Sequence, residues 1–316
     1  MPSGARPRAG YLGPEGTFSE EALLTSSLPG ALQPVPLASI YEVVMQLRAG
    51  ELEWALVPVE NSLDGSLSVT LDLLAERAGE LEIVAEALLR VSHSLIASEA
   101  VSLAEIETVL SHPSVPGQCE RFLRSELAHA RVLAASSTAE AVRLVAAERK
   151  RNQAALGTVL AAEIYGATVL REAVQDSHDN ETRFLWLAQR RRANRPPPLR
   201  DGGGANKTSI VFWGAGAERA GWLVRCLDEF ARREINLTKI ESRPRRQRLG
   251  SYMFFADLSG SAQDTPVAEA ITGLAAMCEE VRVLGSYPQA PEPGTEPRES
   301  AGGERDARGA AGAAPR

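Results

Sequence analysis

Lysine is almost missing from this chain. Lys150, Lys207 and Lys239 are the only three, and arginine carries the rest of the positive charge. With a formal net charge of −7, a broad surface for nucleic acid or an anionic membrane is excluded. Cysteine is equally sparse: Cys119, Cys226 and Cys278 form an odd, scattered set without C-x-x-C spacing. That argues against a disulfide framework or a thiolate metal site and leaves reduced thiols as the expectation. No apolar run approaches a membrane span, and MPSGARPRAG at the start has no hydrophobic signal core, so a cytoplasmic location is expected. Residues 288–316 hold no Val, Ile, Leu, Met, Phe, Trp, Tyr or Cys. Such a segment cannot offset its ordering entropy and is expected to be a disordered tail.

What is present divides in two. Residues 190–206, RRRANRPPPLRDGGGAN, join an arginine run, three prolines and three glycines, and read as a solvated linker. Before it, residues 9–189 alternate strand and helix patterns. Thr17-x-x-Glu20 and Ser137-x-x-Glu140 read as capping boxes, and Trp54–Val59, Thr108–Leu110 and Ala154–Gly157 as strands. This rhythm predicts an α/β region with mainly parallel sheets, whose ligand crevice lies at strand ends beside helix N-termini. After the linker, residues 207–287 read βαββαβ, the ferredoxin-like arrangement of a four-stranded antiparallel sheet with helices on one face.

Four loops of the larger region direct polar groups at that crevice. Gly13–Thr17 offers backbone N–H groups at a helix start, a seat for a carboxylate. VPVENSLDGS supplies Glu60, Asn61 and Ser62, and LSHPSVPGQC supplies Ser111 and Gln118. DSHDNETRFLWL places Asn180, Thr182 and Arg183 where a polar loop enters an apolar strand. An arginine fork holds a carboxylate, while a hydroxyl and an amide can follow a proton or stabilise developing charge. Each loop alone also has a plain structural reading as a cap, a turn or a surface residue; the set is what points to a small carboxylated substrate. His178 in the last loop reads as a polar loop residue without a catalytic task.

YLGPEGTFSEEAL, VPVENSLDGS, LSHPSVPGQCERFL and NETRF, followed by ESRP in the smaller region, resemble the prephenate dehydratases in the order that family shows them. The resemblance spans about residues 10–287. It implies a catalytic region of two α/β lobes like a type 2 periplasmic binding protein, followed by a regulatory ACT domain. It also implies a cofactor-free, metal-free reaction in which prephenate loses water and carbon dioxide to give phenylpyruvate. Aromatisation drives that step, so the enzyme needs only to hold two carboxylates and place a donor on the leaving hydroxyl. Carried over by position, Thr182 acts on the leaving hydroxyl with Glu60 as a proton source behind it. Asn61, Ser111 and Gln118 orient substrate oxygens, and Asn180, Thr17, Ser62 and Phe184 line the substrate. Arg183 either pairs a carboxylate or turns inward as a structural ion pair.

For the smaller region the resemblance implies L-phenylalanine as effector, bound between the domains of a homodimer or homotetramer by Gly221, Leu223, Val224 and Glu241-Ser242-Arg243-Pro244. Trp222 stands where the family has a small residue, and its indole is expected either to fill that effector pocket or to point away. Two other functions remain open at this level. One is dehydration of the aminated substrate, arogenate; the other is a non-catalytic small-molecule sensor.

Overall fold

The computed structural model describes residues 6–193, 196–200, 204–214, 219–246 and 250–291. The first lobe contains β1 (Arg8–Leu12), α1 (Phe18–Ser26), β2 (Gln33–Leu37), α2 (Ile40–Ala49), β3 (Trp54–Asn61), β4 (Gly65–Ser66), α3 (Ser68–Arg77) and β5 (Leu81–Arg90). Polar residues set the helix starts: the side chains of Thr17 and Ser39 accept from the backbone N–H of Glu20 and Glu42, each cap contributing about 1 kcal/mol. The capping box at Thr17 is rearranged, because the Glu20 carboxylate accepts from Gly16 N at 2.5 Å.

The chain then crosses into a second lobe of β6 (Ser94–Ala97), β7 (Thr108–Ser111), α4 (Glu120–Glu126), β8 (Arg131–Ala134), α5 (Thr138–Glu148), β9 (Gln153–Gly157), α6 (Val159–Tyr165) and β10 (Thr168–Arg171). It returns as β11 (Glu181–Gln189). The first sheet runs β2-β1-β3-β11-β5 with β4 beside β3, and the second runs β10-β6-β9-β7-β8. The expectation of mainly parallel sheets needs correction. β1 is parallel to β2 and β3, but β11 is antiparallel to both β3 and β5, and β6 is antiparallel to β9 and β10. The reason is the double crossing: the outgoing strand β5 and the returning strand β11 lie side by side, so the sheet is mixed.

The C-terminal unit is β12 (Asn206–Trp213), α7 (Trp222–Ala231), β13 (Leu237–Pro244), β14 (Tyr252–Ser259), α8 (Thr265–Ala275) and β15 (Glu280–Pro288). Its antiparallel sheet is ordered β13-β14-β12-β15. Strand alternation divides its two faces. Ile210 and Phe212 of β12 pack with Trp222, Cys226, Phe230 and Leu274 under the helices. Val211 and Trp213 face the other way and join Leu71, Leu74, Ile83 and Leu185 in a core shared with the first lobe. Gly285 is required there: a Cβ would sit 2.2 Å from the carbonyl oxygen of Ile83, so only glycine lets β15 cross β5 this closely.

Two expectations change at the junctions. Part of the segment expected to be a free linker is pinned: Leu28 N donates to Pro198 O at 2.8 Å, and Arg200 N to Ser26 O at 3.0 Å. Gly202 and Gly203 lie outside the described residues, as does the expected tail from 292 onward. The start of that tail is ordered, with Gln289 N on Ala205 O at 3.0 Å and Ala290 N on Glu86 Oε1 at 3.1 Å.

The Trp222 side chain points into the core of the C-terminal unit. Its indole is 4% exposed in the helix-side core, beside Phe212 and Phe254, and its Nε1 donates to Met277 O at 3.0 Å. Trp222→Ala should therefore destabilise the C-terminal unit by about 3–5 kcal/mol, the usual cost of emptying an aromatic core position. Urea unfolding followed by tryptophan fluorescence measures this; an unchanged midpoint would contradict the core assignment.

Candidate active site

A cleft of about 1140 Å³ separates the lobes. The lobes touch at its mouth, where Gly16 lies so close to α6 that a Cβ would be 2.8 Å from Ala161 Cα; its φ of +82° also suits only glycine well. Thr158 Oγ1 donates to Gly16 O at 2.7 Å and Tyr165 OH to Glu15 O at 2.8 Å, latching the same loop from the second lobe. Both segments that join the lobes contribute to the cleft: His93 follows β5, and Asn180 precedes β11.

At the cleft floor the hydrogen-bond directions can be deduced one from another. Backbone N–H groups of Leu63 and Asp64 donate to Asn61 Oδ1 at 2.9 and 3.0 Å, which fixes that amide. Asn61 Nδ2 then donates to Thr182 Oγ1 at 2.9 Å and to Asn180 Oδ1 at 2.7 Å. Asn180 Nδ2 donates to Gln118 Oε1 at 3.1 Å. Because the Thr182 oxygen accepts from Asn61, its own O–H is free to donate into the cleft. Gln118 Nε2 points toward Asp64 Oδ2 at 3.4 Å, a long and weak contact.

Thr182, Asn61, Asn180, Gln118 and Thr17 thus line one cavity, with Thr17 also capping α1 and donating to Leu12 O at 2.9 Å. The other candidates lie elsewhere, chiefly because side chains alternate along strands. Thr182 pairs with Asn61 and Arg183 with Glu60 across β11 and β3, so the second pair faces away from the cleft. The Glu60 carboxylate meets Arg183 Nε at 2.7 Å and also contacts the Lys239 amine. It is not placed behind Thr182 as a proton source. Phe184 is buried among Tyr11, Leu56 and Trp186. Ser111 is buried at the end of β7 and lines no part of the cleft, and its Oγ has no hydrogen-bond partner. Ser62 braces the returning loop, accepting from Glu181 N at 3.0 Å.

Arg183 takes the inward of its two readings. Besides Glu60 it contacts Asp257 Oδ2 at 2.7 Å through Nη2 and Glu86 Oε2 at 3.3 Å through Nη1. The Glu60 and Asp257 contacts are ion contacts off the hydrogen-bond axis, whereas the Glu86 contact is aligned. Burial opposes its charge, but Asp257, Tyr287, Glu60 and Glu86 together more than offset this and raise the guanidinium pKa.

Sequence reasoning missed His93, Asp64 and Arg143. Among the described residues lining the cleft, Arg143 is the only lysine or arginine. It is held by Glu140 through two 2.7 Å bonds on α5. Its i,i+3 spacing from Glu140 looked like an ordinary helix-surface pair, so nothing in the local pattern singled it out.

A family model described as prephenate dehydratase matches residues 9–192. The chain belongs to the prephenate dehydratase family. A prephenate dehydratase of Mycobacteroides abscessus is 40% identical over 288 residues, covering 89% of this chain and 90% of its own. The solved prephenate dehydratase of Arthrobacter aurescens, in complex with L-Phe, is 36% identical with a TM-score of 0.76, covering 89% of this chain and 90% of that one. GqqA, described as a novel type of quorum quenching acylase, has a TM-score of 0.78 at 27% identity and covers 90% of this chain and 98% of that one. Prephenate dehydratase chemistry is decarboxylating dehydration of prephenate to phenylpyruvate, and the reading as a non-catalytic sensor is set aside.

Glu60→Gln separates the interface role from the chemical one. The variant should lose about 1–3 kcal/mol of stability, a figure below that for a fully buried pair because Glu60 is about one-third exposed. Its turnover should fall less than about tenfold. A hundredfold fall in turnover at unchanged urea midpoint would return Glu60 to the chemistry.

Proposed function

We propose that prephenate lies in the inter-lobe cleft with its leaving hydroxyl on Thr182. The observation that carries this reading is the direction of the Asn61–Thr182 bond, which leaves the threonine O–H uncommitted at the cleft floor. As the ring carboxylate leaves as carbon dioxide, its bonding electrons aromatise the ring and expel the C4 hydroxyl. Charge grows on the departing oxygen, where a preplaced donor is worth most. Asn61 and Asn180 hold Thr182 and the loop; Gln118 presents its amide nitrogen to a substrate oxygen. Arg143, not Arg183, is the cation available to a substrate carboxylate, which would take over the fork now held by Glu140.

One observation favours the aminated substrate as a second reading. Glu15, Asp64 and Glu140 line the same cleft, and a carboxylate is what the ammonium group of arogenate needs. Specificity constants for the two substrates decide between them, with prephenate expected to be preferred.

The same reading assigns residues 9–189 to catalysis, 190–206 to the connection and 207–287 to an ACT regulatory domain. Its sheet order and βαββαβ sequence support that assignment, as does the L-Phe held by the Arthrobacter aurescens relative. Val224 at 69% exposure and Ile240 at 48% leave an apolar surface beside the edge strand β13, suited to a second copy. Ser242 and Pro244 are exposed on that strand. Glu241 and Arg243 face inward, Glu241 3.4 Å from Lys239 and Arg243 3.2 Å from Asp72. L-Phenylalanine bound at the contact, with Gly221 and Leu223 at the start of α7, shifts the enzyme only through its different affinity for two states.

Two measurements test these assignments. Thr182→Ala should lower kcat by about a hundredfold or more, with Thr182→Ser recovering much of it; near-normal turnover in folded Thr182→Ala refutes the role. Val224→Asp should dissociate the homo-oligomer in sedimentation and weaken inhibition by L-phenylalanine. An oligomer and inhibition both unchanged would remove this surface from the regulatory site.

A further inference from the structure

His93 is 2% exposed, in the segment that leaves β5 for the second lobe. Its backbone is fixed on both sides: N donates to Gln175 Oε1 at 3.0 Å and O accepts from Val174 N at 2.8 Å. Phe18 of α1 meets its ring edge-on at 5.3 Å. Nε2 lies 3.1 Å from Gln118 Oε1, while Nδ1 is buried with no partner.

Both ring nitrogens of His93 favour the same tautomer. The amide chain from the backbone through Asn61 and Asn180 fixes Gln118 Oε1 as an acceptor, so the facing imidazole nitrogen must carry the hydrogen. At the other nitrogen, a buried N–H without an acceptor costs more than a buried lone pair. Both give Nε2–H. Burial also lowers the imidazole pKa, against the smaller opposing effects of Gln118 and Asp64, which favours the neutral ring.

We infer that His93 is a positioning residue for the dehydration: its Nε2–H donates to Gln118 Oε1 and keeps the Gln118 amide nitrogen turned toward the substrate oxygen. A flipped Gln118 would set a carbonyl against that oxygen, and with His93 absent only the Asn180 bond and the long Asp64 contact oppose the flip. The inference rests on the role proposed for Gln118.

Substitutions that retain one ring nitrogen or the other test it. Glutamine places an amide nitrogen near the Nε2 position and asparagine near Nδ1. In the full-length enzyme, His93→Gln should keep kcat/KM within about threefold, whereas His93→Asn should lose about tenfold. In a Gln118→Leu background, His93→Asn should cost nothing further, because the group it orients is gone. Equal activity of the two histidine variants, or additive losses in the double variant, overturns the inference. If Gln118→Leu alone matches wild type, the role proposed for Gln118 falls and this one with it. A costly Gln118→Leu with additive His93→Asn removes only His93. Nitrogen-15 spectra of the wild-type imidazole supply a readout that needs no variant: a ring protonated at Nδ1 alone contradicts the inference.

Discussion

The arrangement depends on one buried guanidinium. Arg183 sits among Glu60 of β3, Glu86 of β5 and Asp257 of β14, and behind these carboxylates stand Lys239 and Lys207. Any one of these charges alone in such a site would be strongly unfavourable, but three cations and three carboxylates meet with no large excess of either sign. Ser209 donates to Asp257 Oδ1 at 2.5 Å and lies 2.7 Å from Tyr287 OH, while Asp257 Oδ2 meets Arg183 as an ion contact only. The partners come from both sides of the junction between the first lobe and the C-terminal unit. Three ion pairs cross it, Arg183 with Asp257, Lys207 with Glu86 and Lys239 with Glu60, and the shared apolar core beside them binds the same two surfaces.

Strand geometry joins this cluster to the chemistry. Thr182 and Arg183 are consecutive on β11, so one faces the cleft and the other the junction. A shift of β11 against β3 would alter the Asn61–Thr182 bond and the Glu60–Arg183 contact together. The strand thus has two faces with separate duties and one backbone that holds both in register.

The sequence revealed the elements and most of the cleft for a physical reason: helix caps and loop motifs are local. Ser137 and Thr158 do cap α5 and α6, each accepting from the backbone N–H three residues on. Asn61, Asn180 and Thr182 lie in a loop or at strand ends and Gln118 in a short 3-10 turn, where a polar residue before an apolar run is conspicuous. Glu60 and Ser111 misled because proximity in a motif does not specify which face of a strand a side chain takes. The identities of the partners of Arg183 were illegible for a different reason, since Glu86 and Asp257 approach from more than fifty residues away. His93 gave no local signal; it becomes meaningful only when Gln118, Asn180 and Phe18 are assembled around it. The orientation of Trp222, left open by the sequence, is that of a core aromatic, because Phe212, Phe254 and Met277 that receive it lie on other elements.

The scarcity of lysine acquires a practical meaning from where the three residues lie. The side chains of Lys207 and Lys239 are each only 11% exposed, sealed into the junction by Glu86 and Glu60, whereas that of Lys150 is 55% exposed. Amine-directed reagents applied to the folded protein thus find one open lysine and two guarded ones. The guarded pair brackets the junction, so acylation at Lys207 or Lys239 would be a chemical record that the C-terminal unit had lifted away, with Lys150 as the internal standard in the same mass spectrum.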